Sequence, residues 1–161
     1  MWRTIICLCL LLPAGALAGV WNGRVTHVSD GDTLWVKPEE GSAPRKVRLL
    51  GLDAPELCQA GGVAARLALR DLVANQTVQV RVNFQDTYGR DLGYLRVAGR
   101  DVGAILVSAG HAWSSRWHGR LGTYAAQEAS ARAAGLGVFA DPAALLPSDF
   151  RRSHGPCQIA P

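Results

Sequence analysis

Three short runs of this 161-residue chain gather the residue types that phosphate chemistry needs. Asp30-Gly31-Asp32-Thr33 offers carboxylates, and the stretch from Arg48 to Glu56 puts an arginine ahead of Asp53 and Glu56. Asp86-Thr87-Tyr88-Gly89-Arg90 sets a second arginine beside a tyrosine. A phosphodiester is anionic and repels hydroxide, and its transition state places further charge on the equatorial oxygens. Guanidinium forks and a divalent cation answer that charge, while a carboxylate orients or deprotonates the attacking water. A donor set made only of oxygens favours calcium, or secondarily magnesium, over zinc.

Taken singly, each run has a plainer reading. Asp-Gly-Asp-Thr is an ordinary turn, and Asp86 to Arg90 reads equally as a hairpin tip with a solvated arginine. The first run is not an EF-hand loop, since the twelfth position is Gly41 counted from Asp30 and Ala43 counted from Asp32, so the bidentate glutamate is missing. Arg48 is harder to dismiss, because a charged side chain inside the apolar run Val47 to Leu52 requires a partner or a path to water.

The elements that must position these residues follow from periodicity. Trp21 to Val28 and Thr33 to Lys37 read as an extended pair joined at Ser29 to Asp32, with a third strand from Arg45 to Leu52 after a turn. From Thr77 to Phe84, Val78, Val80, Val82 and Phe84 alternate with polar residues, which predicts a half-buried strand with those four inward. Leu92 to Val97 is a further strand. Helical spacing appears over Val63 to Ala74, after an Asp101 N-cap towards Gly110, and over Tyr124 to Ala134 with Gly135 as its stop. This order predicts a small α+β domain on an antiparallel barrel or sheet, and composition does not choose between them. No repeat, low-complexity tract or linker divides it.

Residues 1–18 are expected to be a secretory signal peptide: a positive start, an apolar run from Ile5 to Leu12, and the small-residue pattern Ala16-Leu17-Ala18. The run is too short for a spanning helix, so no membrane association is expected after cleavage. The remaining residues, 19–161, make one domain of about 143 residues, with a core over 21–140 and a tail over 141–161. The expected destination is periplasmic or extracellular and the expected state monomeric. Losing Arg3 lowers the formal charge of +4 by one, a modest positive balance compatible with an anionic substrate. Cleavage also removes Cys7 and Cys9. Cys58 and Cys157 then form an isolated pair that an oxidising compartment would join, clamping Ser153 to Cys157 beside the segment after Glu56. The other reading is two free thiols. With no histidine at ligand spacing, neither cysteine builds a zinc site, and His27, His111, His118 and His154 read as structural or surface residues.

Together the three runs resemble the signature motifs of the staphylococcal-nuclease family, in the family's order, and the similarity extends from about Trp21 to Phe139. It takes in Leu106 to Trp113 and the later run Glu128-Ala129 to Gly137-Val138-Phe139. The resemblance implies an OB-fold five-stranded β-barrel with three α-helices, and a calcium-dependent nuclease that cuts DNA and RNA with little sequence preference and leaves 3′-phosphates. By the same resemblance Asp32 and Asp53 hold the metal with the backbone carbonyl of Ala54, and Asp30 supports them from behind. Arg48 and Arg90 grip the phosphate, and Glu56 is the general base or the residue that holds the attacking water. Tyr88 contacts a phosphate at the rim. Arg48 and Asp53 lie five residues apart, so strict alternation would point them to opposite faces; the resemblance therefore requires a break, at Gly51 or at the strand end before Pro55.

The chain also departs from the family's best-known member. The segment between Glu56 and the first helix is shorter and contains Cys58, and Thr87 stands where that member has a lysine. A tyrosine-rich loop is replaced by Trp113-Ser114-Ser115-Arg116-Trp117-His118-Gly119-Arg120, in which Trp117 can stack on a base with Arg116 and Arg120 at the backbone. Core packing for Trp113 and simple exposure for Trp117 are the plainer alternatives. Arg151-Arg152 reads as a solvated basic end, with contact to nucleic acid as the other reading. Two other functions compete with hydrolysis: an inactive nucleic-acid-binding barrel, against which the complete set of Asp32, Arg48, Asp53, Glu56 and Arg90 argues, and a calcium-stabilised structural domain.

Overall fold

The computed structural model describes residues 19–155 and 157; the expected signal peptide lies outside them. The strands are β1 (Val20–Val28), β2 (Thr33–Pro38), β3 (Arg45–Leu49), β4 (Leu52–Asp53), β5 (Thr77–Gln85), β6 (Asp91–Val97) and β7 (Arg100–Asp101), followed by three two-residue strands, β8 (Trp113–Ser114), β9 (Arg116–Trp117) and β10 (Arg120–Leu121). The helices are α1 (Gly62–Val73), between β4 and β5, then α2 (Val102–Ser108), α3 (Ala125–Ala133) and α4 (Pro147–His154), with a 3-10 turn at Gly137–Ala140.

Five strands close on themselves. The hydrogen-bonded order β3-β2-β1-β5-β6 is completed by a parallel pairing of β3 with β6, in the register Val47↔Asp91, Arg48↔Leu92 and Leu49↔Gly93. The other barrel contacts are antiparallel. That closure decides between barrel and open sheet, and it leaves no free edge at β3 or β6. Arg45 Nε clips the seam to the buried Asp91 carboxylate at 2.7 Å. Val36, Val47, Val78, Val80 and Leu95 fill the interior, and α1 adds Ala65, Leu69 and Val73 from one stripe of a helix whose other faces are more exposed.

Two strand expectations need correction. The single strand Arg45 to Leu52 is broken at Leu50-Gly51, where Gly51 has φ +84°, and resumes as β4 paired with β8. Phe84, expected inward, is 52% exposed: the β5–β6 register slips between Val82 and Phe84, so alternation fails at the bulge. The helices begin and end close to the expected places. Asp101 caps α2 by accepting the Ala104 N–H at 3.0 Å, and Gly135 at φ +60° ends the turn after α3. Beyond the three expected helices, the tail contributes α4, with Pro147 in its first turn and Arg151, Arg152 and His154 in its last, where the helix dipole favours cations.

Candidate active site

The barrel's first turn presents Asp30 and Asp32. Ser29 N–H and Asp30 N–H both donate to the Thr33 carbonyl, and Asp30 Oδ1 accepts the Asp32 N–H at 3.0 Å, a turn closed by its own side chain. Asp32 is buried, with Oδ1 accepting the Thr33 hydroxyl at 2.9 Å and Oδ2 accepting the Ala54 N–H at 3.0 Å. Thr33 pairs with Arg48 across β2–β3, so the guanidinium emerges beside these acids. Arg48 Nη1 contacts Asp32 Oδ2, and Nη2 donates to Asp53 Oδ1 at 3.1 Å. The left-handed Gly51 is what returns Asp53 to the same side as Arg48.

The electrostatics follow from burial and from Arg48. Burial, reinforced by the neighbouring Asp32, pushes the Asp30 carboxyl up from 3.8 to about 6. Burial opposes the charge on Asp32 too, but Arg48 and the Ala54 N–H outweigh it and hold that carboxyl below its usual range. Asp53 is raised by burial against the pull of Arg48 and Arg151. Arg48 is held protonated: burial disfavours its charge, and Asp32, Asp53 and Asp30 overcome that.

Arg90 comes from the β5–β6 turn, where Asp86 organises the loop. Asp86 Oδ1 accepts the N–H groups of Tyr88 and Arg90 at 3.0 and 2.9 Å, and Oδ2 accepts Arg90 Nε at 2.8 Å. The Arg90 guanidinium lies 5.5 Å from the centre of the exposed Tyr88 ring. Sequence reasoning passed over Asp86, although its place at the head of an Asp-x-x-Gly-Arg turn is the signal for such a side-chain cap. One open cavity of about 430 Å³ is lined by Asp30, Asp32, Arg48, Ala54, Glu56, Tyr88 and Arg90. Asp53 opens onto an adjoining cavity of about 280 Å³, and Arg48 and Arg151 line both.

Glu56 sits in a tightly tied bend. Its N–H donates to Gln59 Oε1 at 3.2 Å, and its carbonyl accepts the Gln59 N–H at 2.9 Å. Helix α1 starts so close that a Cβ on Gly62 would lie 1.9 Å from the Glu56 carbonyl oxygen, so a residue with a side chain there would force the bend to move. Gln59 Nε2 donates to the Leu145 carbonyl at 2.7 Å, and Cys58 is disulfide-bonded to Cys157, as the cysteine count predicted. Between these two ties lies Arg151. Its Nη1 is 2.5 Å from Glu56 Oε1, and its Nη2 is 3.5 Å from Asp53 Oδ2. Reading Arg151-Arg152 as a solvated end holds for Arg152, which pairs on the surface with Asp149, and fails for Arg151. The signal was the expected disulfide, which ties a cysteine two residues past Glu56 to one six residues past Arg151 and so brings Arg151 near Glu56, a consequence not read from the sequence.

The loop expected to meet a base divides. Trp113 is buried and packs edge-on against Phe139, with centroids 5.8 Å apart. Trp117 is 78% exposed and lines neither cavity. Arg116 reaches the adjoining cavity, but its guanidinium is engaged with Glu128 Oε1 at 2.7 Å and the Ser114 carbonyl at 3.2 Å. Glu128 is fully buried and also accepts Arg132 Nε and the Ser114 N–H, both at 2.8 Å. Arg116 therefore anchors the loop to α3.

Among the described residues no three acidic, histidine or cysteine side chains converge on one point. Asp32 and Asp53 nevertheless lie within the span of the single Arg48 guanidinium, an all-oxygen pair. Such a donor set fits a hard cation that keeps part of its water shell, and lacks the nitrogen or sulfur ligands zinc prefers.

A closed five-stranded barrel with helices, and with arginines and carboxylates gathered around one cavity, defines an OB-type α+β protein. The sequence model of the staphylococcal nuclease homologues matches residues 46–141, more than half of the chain, and the chain belongs to that family. It is 37% identical over 144 residues to a micrococcal nuclease of Shigella flexneri, covering 83% of this chain and 82% of that one. Protein ParB of Escherichia coli is 36% identical over 163 residues, covering 94% of this chain and 91% of its own length. An uncharacterized endonuclease of Haemophilus influenzae is 34% identical over 131 residues, 81% of this chain and 73% of that one.

Proposed function

We propose that this protein is an exported, cation-dependent nuclease that hydrolyses phosphodiester bonds of DNA and RNA with little sequence preference and leaves 3′-phosphates. The supporting observation is that Arg48, Glu56 and Arg90 line one open cavity with Asp30 and Asp32, so that all three runs meet there. Similarity to proteins named micrococcal nuclease and endonuclease points the same way.

In this reading Arg48 and Arg90 grip the non-bridging oxygens and balance the charge that grows on them. Glu56 holds a water in line with the phosphorus and takes its proton as the new P–O bond forms. The bond to the 5′-oxygen breaks, the 5′-oxygen leaves and is protonated, and the phosphate stays on the 3′ side. Asp32 and Asp53, with the Ala54 carbonyl, would hold calcium, with magnesium the less favoured ion; a bound divalent cation supplies positive charge for the phosphate and for hydroxide formation. Asp30 supports that set, and Tyr88 offers its ring and hydroxyl at the rim. Trp117 is free to stack on a base, with Arg116 holding its loop in place. Among the described residues no helix is long and apolar enough to cross a membrane. We take the working form to be a secreted or periplasmic monomer.

The test is digestion of DNA and RNA by the purified chain from residue 19 onward, with added calcium and again with chelator. Hydrolysis in calcium alone is expected, with kcat lowered about 10²- to 10⁴-fold in Glu56→Gln, the range for losing a general base. Arg90→Ala should fall comparably. Full activity in Glu56→Gln would remove Glu56 from the mechanism, and no hydrolysis by the unaltered protein under any divalent cation would end the nuclease reading.

A further inference from the structure

We propose that Arg151 is a positioning residue for Glu56, held in place by the Cys58–Cys157 disulfide, so that hydrolysis depends on the oxidation state of that pair. The inference rests on the role given to Glu56 above. Its observations are separate from those that suggest nuclease activity.

The bend carrying Glu56 is short, and nothing in the barrel holds its carboxylate: among the described residues, the side-chain oxygens of Glu56 are approached only by Arg151. A glutamate with free χ angles samples several rotamers, and few of them place an oxygen where a water can be held in line with phosphorus. Arg151 limits that freedom. One nitrogen of its fork meets Glu56 and the other meets Asp53, so the guanidinium ties the two carboxylates to each other. Arg151 pairs through Oε1, which leaves Oε2 of Glu56 available to a water.

Arg151 in turn depends on where α4 sits. The helix has eight residues, and Phe150 and His154 face a largely apolar hollow shared with Ala64, His111 and Val138. Two ties place it against the site: the Gln59 amide on the Leu145 carbonyl ahead of it, and the disulfide behind it, where the Cys58 N–H also donates to Cys157 Sγ at 3.0 Å. Both ties start from the bend that carries Glu56. The tail and the base are therefore one mechanical unit, and opening the disulfide frees Arg151 to leave without disturbing the barrel.

The experiment compares the unaltered protein, Arg151→Gln and Arg151→Lys, each oxidised and after reduction with dithiothreitol and capping of the thiols with iodoacetamide. kcat and KM are measured on DNA with calcium, and circular dichroism monitors folding. Arg151→Gln keeps the disulfide, so its result does not hinge on the stability of the reduced chain. The expected result is a kcat lower by about 10- to 100-fold in Arg151→Gln, the scale for a misplaced catalytic group, with KM within about threefold. Arg151→Lys should recover part of the loss. Reduction should lower kcat in the unaltered protein and have little further effect in Arg151→Gln. Unchanged or higher kcat in Arg151→Gln, or a loss confined to KM, overturns the positioning role. Equal losses on reduction in both proteins, or none in the unaltered one, overturn the link through the disulfide. If the unaltered protein fails to cut DNA at all, the nuclease reading has failed instead.

Discussion

The two walls of the cleft are held by different physics. On the barrel wall, Asp32 ends the turn just ahead of β2, where Thr33 pairs with Arg48 on β3; Asp32 is 6% exposed, and every oxygen of its carboxylate has a partner. On the tail wall, Arg151 meets Glu56 from a short helix held to the bend by the disulfide and by the Gln59–Leu145 contact, and the Arg151 side chain is 44% exposed. The first wall is a consequence of folding, because its charges are stable only when the barrel is closed around them. The second is held against the barrel from the tail. Charges that must stay paired to stay buried belong to the first, and a contact that can be adjusted without unfolding belongs to the second.

Breaking the barrel wall should cost the most. Replacing Arg48 with Leu leaves Asp32 buried without its counter-charge, and a loss of about 3–5 kcal/mol in urea unfolding is expected, with activity gone as well. A loss below about 1 kcal/mol would mean that the pair is not structural and that the two walls are alike. Removing the staple comes next. Cys58 and Cys157 are separated by 99 residues, and the Cys58→Ser/Cys157→Ser double variant should lose about 2–4 kcal/mol, mostly because the unfolded chain regains freedom. Calorimetry of this variant should still show one cooperative transition; two transitions would make the tail a separate folding unit. The smallest effect on stability is expected from Arg151→Gln, under about 1 kcal/mol, as for other partly exposed ion pairs. If melting shows Arg151→Gln to be as damaging as Arg48→Leu, the distinction between the walls is wrong.

Much of the barrel wall was readable along the chain. Asp30, Asp32, Arg48, Glu56 and Arg90 stand in short motifs whose residue types suit phosphate, and all five line one cavity, with Asp53 at its edge. The alternation of β5 and the Asp101 cap were readable because strand parity and helix capping are local rules. Phe84 was not, because a bulge interrupts parity there and where it falls depends on the strand next door, whereas the break expected at Gly51 or before Pro55 falls at the left-handed Gly51. Arg116 looked like a free cation in a loop, and the carboxylate that engages it is 12 residues away on α3. Arg151 looked like a solvated tail residue, and its partners are 95 and 98 residues away.

The sequence by itself determined the chemistry available: which carboxylates and guanidiniums exist, where the cysteines stand along the chain, and where most strands and helices begin. Those are properties of residue type and short-range spacing. Only the tertiary structure decided that β3 pairs with β6 to shut the barrel, that the break between Arg48 and Asp53 falls at Gly51 rather than before Pro55, and that the stapled helix brings Arg151 onto Glu56. Each of these depends on groups distant along the chain coming into contact, and no local preference records which distant partner a side chain will meet.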